Sequence, residues 1–245
     1  MKKSIDVNPG TSNGVKKMIV LKLSGEAFGG GAEPLQESKI DYLAEEISQV
    51  RDCRFIIVPG GGNILRGADL KSRGFNPVEA DYLGMLSTIY NAVSLKNALK
   101  KRNIKSVVMS QLQVDKITSP YTPDEALKKL SEGFIVIVSC GTGNPFVTTD
   151  TAAALRALEV NADILIKATK VAGVYSDDPE KKPDAVFYPR ITYREAIEKD
   201  LKVCDQTALS MLKESGIDFF IMNIFEKGNI KRACEGRCPG TVIVR

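Results

Sequence analysis

Apolar runs that alternate with helical stretches predict an α/β protein: a mostly parallel central sheet sandwiched by helices. Three observations carry this prediction. The runs at 18–21, 55–58 and 134–138 are continuously apolar, the pattern of strands buried on both faces rather than of half-exposed ones. Each is followed by a glycine-bearing loop and then by a helical stretch. A chain of 245 residues is also long enough to bury a full core as one domain.

Taken in order, residues 1–15 contain Pro9-Gly10-Thr11-Ser12-Asn13-Gly14 and are expected to be a disordered tail, with 16–245 a single domain. The first strand, 18–21, runs into Lys22 and a Gly-rich loop, and then into a helix with Ile40, Leu43, Ala44, Ile47 and Val50 on one stripe. Strand 55–58 leads to Pro59-Gly60-Gly61-Gly62-Asn63 and an amphipathic segment through Leu65 to Leu70, which Asn76-Pro77 ends. A long helix follows from Val78 to about Lys101, its apolar members Tyr82, Met85, Leu86, Ile89, Val93 and Leu99, expected to pack in the core or against another subunit. It closes on Lys100, Lys101 and Arg102, cations that favour a helix C-terminus.

Strand 107–109 is next, then a helix opened by Thr122-Pro123-Asp124-Glu125 with proline at its first position. Strand 134–138 feeds the loop at Gly141, after which Thr149 or Asp150 begins a helix carrying Ala152, Ala153, Leu155 and Leu158. Strand 164–166 runs into Lys167-Ala168-Thr169-Lys170. The proline-rich stretch from there to Pro189, with Asp177-Asp178-Pro179, is expected to be a functional loop. Helices at 193–199 and 206–214, a strand at 219–222, a helix after Gly228 and a strand at 242–244 complete the chain.

Composition narrows the chemistry. Without histidine, no Ser-His-acid triad, histidine base or His-ligated metal site can be built, so a catalyst here relies on Lys, Arg, Asp and backbone donors. The five cysteines, with Cys53, Cys140 and Cys204 in apolar surroundings, read as reduced thiols. Cys234 and Cys238 have a metal-like spacing but no second pair, so no metal ligands are expected. With 34 Lys plus Arg against 30 Asp plus Glu, the net charge of +4 gives no nucleic-acid footprint. No apolar run reaches the ~18 residues of a membrane span, and residues 1–17 lack a signal-peptide core. The expectation is a cytoplasmic enzyme with no membrane or nucleic-acid partner.

The run from Gly141 through Thr142, Gly143, Asn144, Pro145, Phe146, Val147, Thr148 and Thr149 to Asp150 packs bare amides, hydroxyls and an acid between strand and helix. That is the composition of a phosphate-handling turn, although Gly-Asn-Pro is also loop punctuation and Thr-Thr-Asp also caps helices. Ligands of an open parallel sheet collect at the carboxyl ends of its strands. Four such ends carry Lys22-Leu23-Ser24-Gly25, Gly60-Gly61-Gly62-Asn63 with Arg66, the Gly141 loop and Lys167-Ala168-Thr169-Lys170. Together they supply the amides, hydroxyls and cations that a phosphorylated ligand requires. No GxxxxGK[ST] occurs, and Phe146 stands where a GxGxxG loop needs its last glycine.

Five ordered motifs then identify a resemblance covering nearly everything from Met18 onward. Lys22-Leu23-Ser24-Gly25-Glu26-Ala27, Gly60-Gly61-Gly62-Asn63-Ile64-Leu65-Arg66-Gly67, Asp81-Tyr82-Leu83-Gly84-Met85, the run Gly141 to Ala154, and Lys167 to Tyr175 resemble the bacterial uridylate kinases of the amino acid kinase superfamily. The resemblance implies transfer of a phosphoryl group from ATP to UMP, with Mg2+ arriving on the ATP. It implies ATP contacts at Lys22, Leu23, Ser24, Gly25, Gly62, Arg66, Thr169, Tyr175 and Asp178, and UMP contacts at Gly61, Asp81 and residues 142–149. It further implies Lys22 and Lys167 on the transferred group, Asp150 positioning them, an acceptor lobe at about 16–147 and an ATP lobe at 148–245. Homohexameric assembly, inhibition by UTP and a role in pyrimidine nucleotide supply are implied in the same way. The bland alternatives are a strand-end surface cation for Lys167, a helix cap for Asp150 and an exposed helix-start acid for Asp81. A relative with another acceptor, or a non-catalytic nucleotide binder, is the alternative reading of the whole. One departure is plain: Phe28-Gly29-Gly30-Gly31 stands where the family usually has the Gly-Phe-Gly element associated with GTP activation, so GTP control is not implied.

Overall fold

The computed structural model describes residues 5–6, 16–201 and 203–245, so most of the expected tail lies outside the described residues. From the N-terminus, β1 (Ile5–Asp6) precedes β2 (Lys17–Leu23), α1 (Glu37–Ser48), β3 (Cys53–Pro59), α2 (Gly67–Ser72) and α3 (Pro77–Lys101). Next come β4 (Ser106–Ser110), β5 (Ser119–Pro120), α4 (Pro123–Ser131), β6 (Ile135–Ser139), α5 (Thr149–Glu159) and β7 (Ile164–Thr169). The remainder holds β8 (Val174–Tyr175), β9 (Phe187–Tyr188), β10 (Arg190–Thr192), α6 (Tyr193–Glu198), α7 (Gln206–Leu212), β11 (Asp218–Asn223), α8 (Asn229–Cys234), β12 (Arg237–Cys238) and β13 (Thr241–Val244).

Among the described residues nine strands form one sheet in the order β10-β13-β11-β7-β2-β3-β6-β4-β5. The pairings from β11 through to β5 are parallel, while β13 lies antiparallel to β11 and parallel to β10. The mostly parallel sheet expected from sequence is therefore present, with a reversed edge that local patterning did not signal. Two small antiparallel ribbons, β1 with β12 and β8 with β9, stand outside it.

Both faces of the sheet are buried, which is why its central strands are continuously apolar. Met18 and Val20 of β2 pack into one core with α4, α5, α6 and α7, while Ile19, Leu21 and Leu23 pack into the other with α1, α3 and α8. The same alternation fixes where the first polar residue at a strand end points. Lys22 continues the Met18 and Val20 side, toward α5, and Lys167 continues the Leu165 side, which faces α5 as well.

Helix starts follow ordinary capping chemistry. Asn76 caps α3 ahead of Pro77, Thr122 caps α4 and Thr148 caps α5, while Thr192 and Glu195 form a full capping box on α6. The helix expected from Leu65 begins at Gly67, because Ile64 and Leu65 donate their amides back to the Gly61 carbonyl in a turn that completes the glycine loop. The proline-rich stretch before Pro189 holds the β8/β9 ribbon, whose two-residue strands are too short to show a period. Among the described residues no helix is long and apolar enough to cross a membrane, and no cluster of metal-ligating side chains forms. The cysteines are free thiols.

Candidate active site

Because β7, β2, β3 and β6 are consecutive and parallel, their carboxyl ends share one edge of the sheet. The four loops singled out above are the continuations of these four strands. Their convergence is a direct product of topology.

Lys22 and Lys167 are register partners on β2 and β7. Both ammonium groups reach the same carboxylate: Lys22 Nζ is 2.8 Å from Asp150 Oδ1, and Lys167 Nζ is 2.6 Å from Asp150 Oδ2. The three side chains retain 12%, 17% and 15% exposure for Lys22, Lys167 and Asp150, enough to meet a ligand and too little for water to screen them. Burial alone would raise the Asp150 pKa, but the two lysines outweigh it and hold the carboxyl below its ordinary value. Asp150 lies in the first turn of α5, where the helix dipole also favours a negative charge. Lys167 Nζ donates in addition to the Val203 carbonyl at 2.7 Å.

The glycine loops close against one another beside this cluster. A Cβ on Gly25 would stand 2.6 Å from Asn63 Oδ1 and 2.8 Å from the Gly62 nitrogen, so only glycine lets the two turns meet. On Gly61, a Cβ would fall 1.9 Å from Ser87 Oγ and 2.9 Å from the Gly84 carbonyl. The second loop is pinned from below by α3: Ser87 Oγ donates to the Gly61 carbonyl at 3.1 Å, and Asn91 Nδ2 donates to the Gly60 carbonyl at 2.6 Å and to Asn63 Oδ1 at 2.8 Å. Asn63 Nδ2 returns to Asn91 Oδ1 at 3.0 Å. Ser24 follows Leu23, the last residue of β2, and donates its amide to the Ala168 carbonyl at 3.3 Å, while its Oγ is buried without a hydrogen-bond partner. Ser24 thus carries an unmade hydrogen bond beside the glycine turn. Arg66 leans across the loop, donating to the Gly62 carbonyl at 3.2 Å and pairing with Glu26 at 3.2 Å.

On the β6 side, a cavity of about 250 Å3 lies between α3 and the Gly141 loop. Gly61, Gly62, Arg66, Gly67, Asp81 and Gly84 line one wall, and Gly141, Asn144, Val147, Thr148 and Thr149 the other. Thr142, Gly143, Pro145 and Phe146 stand outside that lining. Thr142 and Asn144 are tied to each other, Thr142 Oγ1 accepting the Asn144 amide at 3.3 Å, and the Phe146 ring is 72% exposed. Phe146 holds φ at 66°, an unusual strain for an aromatic residue, and its amide donates to Asp81 Oδ2 at 2.9 Å. Asp81 also takes Lys71 Nζ at 2.8 Å on Oδ1 and 3.0 Å on Oδ2, so most of its acceptor capacity is engaged. Burial works to raise the Asp81 pKa; the bonds from Lys71 and Phe146 prevail and lower it.

The third group of expected residues continues from β7. The Thr169 carbonyl accepts the Ile224 amide at 2.8 Å, and Tyr175 packs on Phe187 with centroids 5.2 Å apart. Asp178 Oδ1 accepts the Glu180 amide at 3.0 Å and closes the adjacent turn. This ribbon is held to the sheet by Thr241, whose hydroxyl accepts the Val174 amide at 2.8 Å and donates to the Tyr188 carbonyl at 2.6 Å. A larger hollow of about 970 Å3, lined by Lys16, Arg51, Arg54 and Arg102 among others, includes none of the four strand-end loops. Two of its cations are already bonded to carbonyls: Lys16 to Arg51 O and Arg102 to Ala98 O.

Sequence reasoning missed Ser87, Asn91, Lys71 and Asp205. For the first two a signal existed: small polar residues four apart inside the apolar stripe of a long helix.

The solved structure of UMP kinase from Ureaplasma parvum superposes with a TM-score of 0.88 at 34% identity, covering 94% of this chain and 99% of that one. UMP kinase from Bacillus anthracis gives 0.88 at 34%, covering 93% and 95%. Uridylate kinase from Archaeoglobus fulgidus gives 0.72 at 29%, covering 92% and 99%. The sequence profile of the amino acid kinase family matches residues 17–223, and the chain belongs to that family.

Proposed function

We propose that the chain transfers the γ-phosphoryl group of ATP to UMP, yielding ADP and UDP. The observation that carries this reading is the Lys22–Asp150–Lys167 cluster at the junction between the glycine loops of β2 and β3 and the cavity beside Asp81. Phosphoryl transfer asks a protein mainly for in-line positioning and stabilisation of charge on the moving group. A phosphate oxygen of UMP attacks the γ-phosphorus, and the bond to ADP breaks with its electron pair leaving on ADP. Two ammonium groups fixed by one carboxylate offset the charge of the equatorial oxygens. The attacking phosphate has a second pKa of about 6 and is already largely ionised near neutral pH, so no general base is required. That suits a chain without histidine.

In this reading Lys22, Leu23, Ser24, Gly25, Gly62 and Arg66 hold the ATP phosphates, and Thr169, Tyr175 and Asp178 border the rest of the nucleotide. Gly61, Asp81 and residues 142–149 receive UMP, with Asp81 on the ribose hydroxyls. The acceptor lobe at about 16–147 and the ATP lobe at 148–245 then meet at the cluster. Mg2+ supplies charge neutralisation on the ATP phosphates. Asp150 is committed to two lysines, and in this reading the ion is carried by the nucleotide rather than by a protein cage. The exposed stripe of Tyr82, Leu86, Tyr90 and Val93 on α3, with Tyr90 at 64%, supports a homo-oligomer, hexameric by resemblance, which light scattering on the purified protein tests. Inhibition by UTP and a cytoplasmic place in pyrimidine nucleotide supply rest on the same resemblance.

The decisive assay follows ADP release from Mg-ATP with UMP, CMP, dUMP, AMP, acetylglutamate and carbamate in turn. UMP is expected to be strongly preferred. Comparable turnover with an amino-acid or carbamate acceptor overturns the proposal.

A further inference from the structure

One short segment, 203–205, touches the Lys22–Asp150–Lys167 cluster from a direction that none of the four strand-end loops supplies. The Val203 carbonyl takes Lys167 Nζ at 2.7 Å, and Cys204 closes a narrow space with Lys22, Asp150 and Lys167. Asp205 reaches furthest. As the N-cap of α7 its carboxylate accepts the Ala208 amide at 2.9 Å. The same carboxylate accepts the hydroxyl of Thr151 at 2.7 Å, and on its other oxygen the hydroxyl of Thr148.

Those two threonines are the N-cap and third residue of α5, and Asp150 lies between them. Thr148 Oγ1 accepts the amides of Asp150 at 3.1 Å and Thr151 at 3.2 Å while its proton goes to Asp205. One carboxylate from another helix thus fixes both threonine hydroxyls in the first turn of α5. Thr148 therefore lines the acceptor cavity with its hydroxyl already committed.

We propose that Asp205 is a positioning residue for the phosphoryl transfer, acting through Thr148 and Thr151 to set where Asp150 holds Lys22 and Lys167. The inference rests on the catalytic reading of that cluster. Asp205 touches none of the three charged groups itself; it fixes the turn that carries Asp150, while the nearby Val203 carbonyl holds the Lys167 ammonium. Misplacing a catalytic group by about an ångström costs on the order of a hundredfold in rate. Nucleotide affinity, built largely from the glycine loops, depends on this turn far less.

The test compares Asp205→Asn and Thr151→Val with the parent protein. Asparagine caps helices about as well as aspartate, so α7 keeps its start and the melting temperature stays close to that of the parent. A lone amide oxygen cannot serve both threonine hydroxyls. The expected result is a kcat reduced between about tenfold and a hundredfold with KM for ATP and UMP nearly unchanged. Thr151→Val is expected to give a smaller loss in the same direction, and the double variant to be no worse than Asp205→Asn alone. Amide hydrogen exchange at Asp150 and Thr151 is expected to quicken in both single variants, a readout independent of turnover. Wild-type kcat in Asp205→Asn, or unchanged exchange at those amides, overturns the inference. So does a rate loss that tracks a loss of melting temperature, or additivity of the two substitutions. A parent protein inactive toward UMP indicts the proposed function instead, and the exchange measurement still decides the role of Asp205.

Discussion

Lys22 and Lys167 stand opposite each other on neighbouring parallel strands, and the two oxygens of Asp150 divide between them. Neither lysine is anchored mainly by the other strand; the acid from α5 sets their spacing. Lys22→Ala is expected to abolish measurable turnover while leaving the circular dichroism spectrum and melting temperature close to those of the parent. Detectable UMP turnover above about 1% of the parent rate counts against the role assigned to Lys22, given the hundredfold and larger losses typical of removing such a charge.

Asp150→Asn has a different signature, because it leaves two ammonium groups facing each other without a counter-ion. Breaking a buried pair by removing one partner costs about 3–5 kcal/mol, and the partial exposure here places the expectation at the low end. The carboxyl is held below its ordinary value of 3.8, so its contribution is fully present above that pH and fades as pH falls through the lowered value. Melting curves between pH 3 and 8 are expected to show a stability gap between parent and Asp150→Asn that is constant above about pH 5 and narrows below pH 4. A gap that is unchanged at pH 3 contradicts the pairing.

Glu46 on α1 carries the opposite sign. It is buried, Oε2 accepts the Gly228 amide at 2.7 Å, and Oε1 has no partner. Burial raises its pKa above the ordinary 4.5, outweighing the bond from Gly228. A raised value means the charged form costs stability, a cost absent below 4.5 and growing as pH rises through the native value. Glu46→Gln keeps an acceptor for Gly228 and removes the charge, so it is expected to raise the melting temperature at pH 8, by about 2–4 °C per kcal/mol regained, and to have no effect at pH 4. Equal effects at both pH values exclude the charge as the cause.

Asp81 lines the cavity proposed to receive UMP and pairs with Lys71, with the Phe146 amide bonded to the same acid. Asp81→Asn is expected to raise KM for UMP more than KM for ATP. Lys71→Met, which keeps the stem and drops the charge, is expected to do the same more weakly, since it only frees the acid to move. Steady-state kinetics with each nucleotide varied in turn separates these outcomes, and an unchanged KM for UMP in Asp81→Asn removes that residue from the acceptor side.

The Asn63 and Asn91 side chains exchange hydrogen bonds beneath the glycine loop. Asn91→Ala strands the Gly60 carbonyl and Asn63 Oδ1 in a buried setting, at about 1–3 kcal/mol for each group left unsatisfied, while Asn63 Nδ2 keeps its bond to the Pro34 carbonyl at 2.7 Å. A lower melting temperature together with a raised KM for ATP is the expected pair of effects. Loss of stability without any kinetic change limits Asn91 to a structural role.

How far these features were legible in the sequence depends on what local pattern encodes. Lys22 and Lys167 stood out because each interrupts an apolar strand at its end, and Asp150 because it sits in the first turn after a glycine loop. Topology then turned separate motifs into one place, which strand order alone decides. Asp205 carried no such mark: an acid before a short helix reads as a cap, and so it is, with its other two bonds made across the fold. Lys71 is one more cation on a short exposed helix until α3 brings Asp81 against it. The reversal of β13 was equally silent, since an apolar run has no direction until its neighbours supply one.

The carboxylate between the two lysines also sets the net charge that this cluster presents to an anion. Two bare ammonium groups at a nest of free amides make an efficient trap for sulfate or orthophosphate, both plentiful in any cell. With Asp150 already in place the local charge is +1 rather than +2, so a small dianion gains little by settling there. A triphosphate chain brings enough additional charge and further donors to outbid them. On the proposed reading, the acid between the lysines thereby favours a polyphosphate over a single small anion at this place.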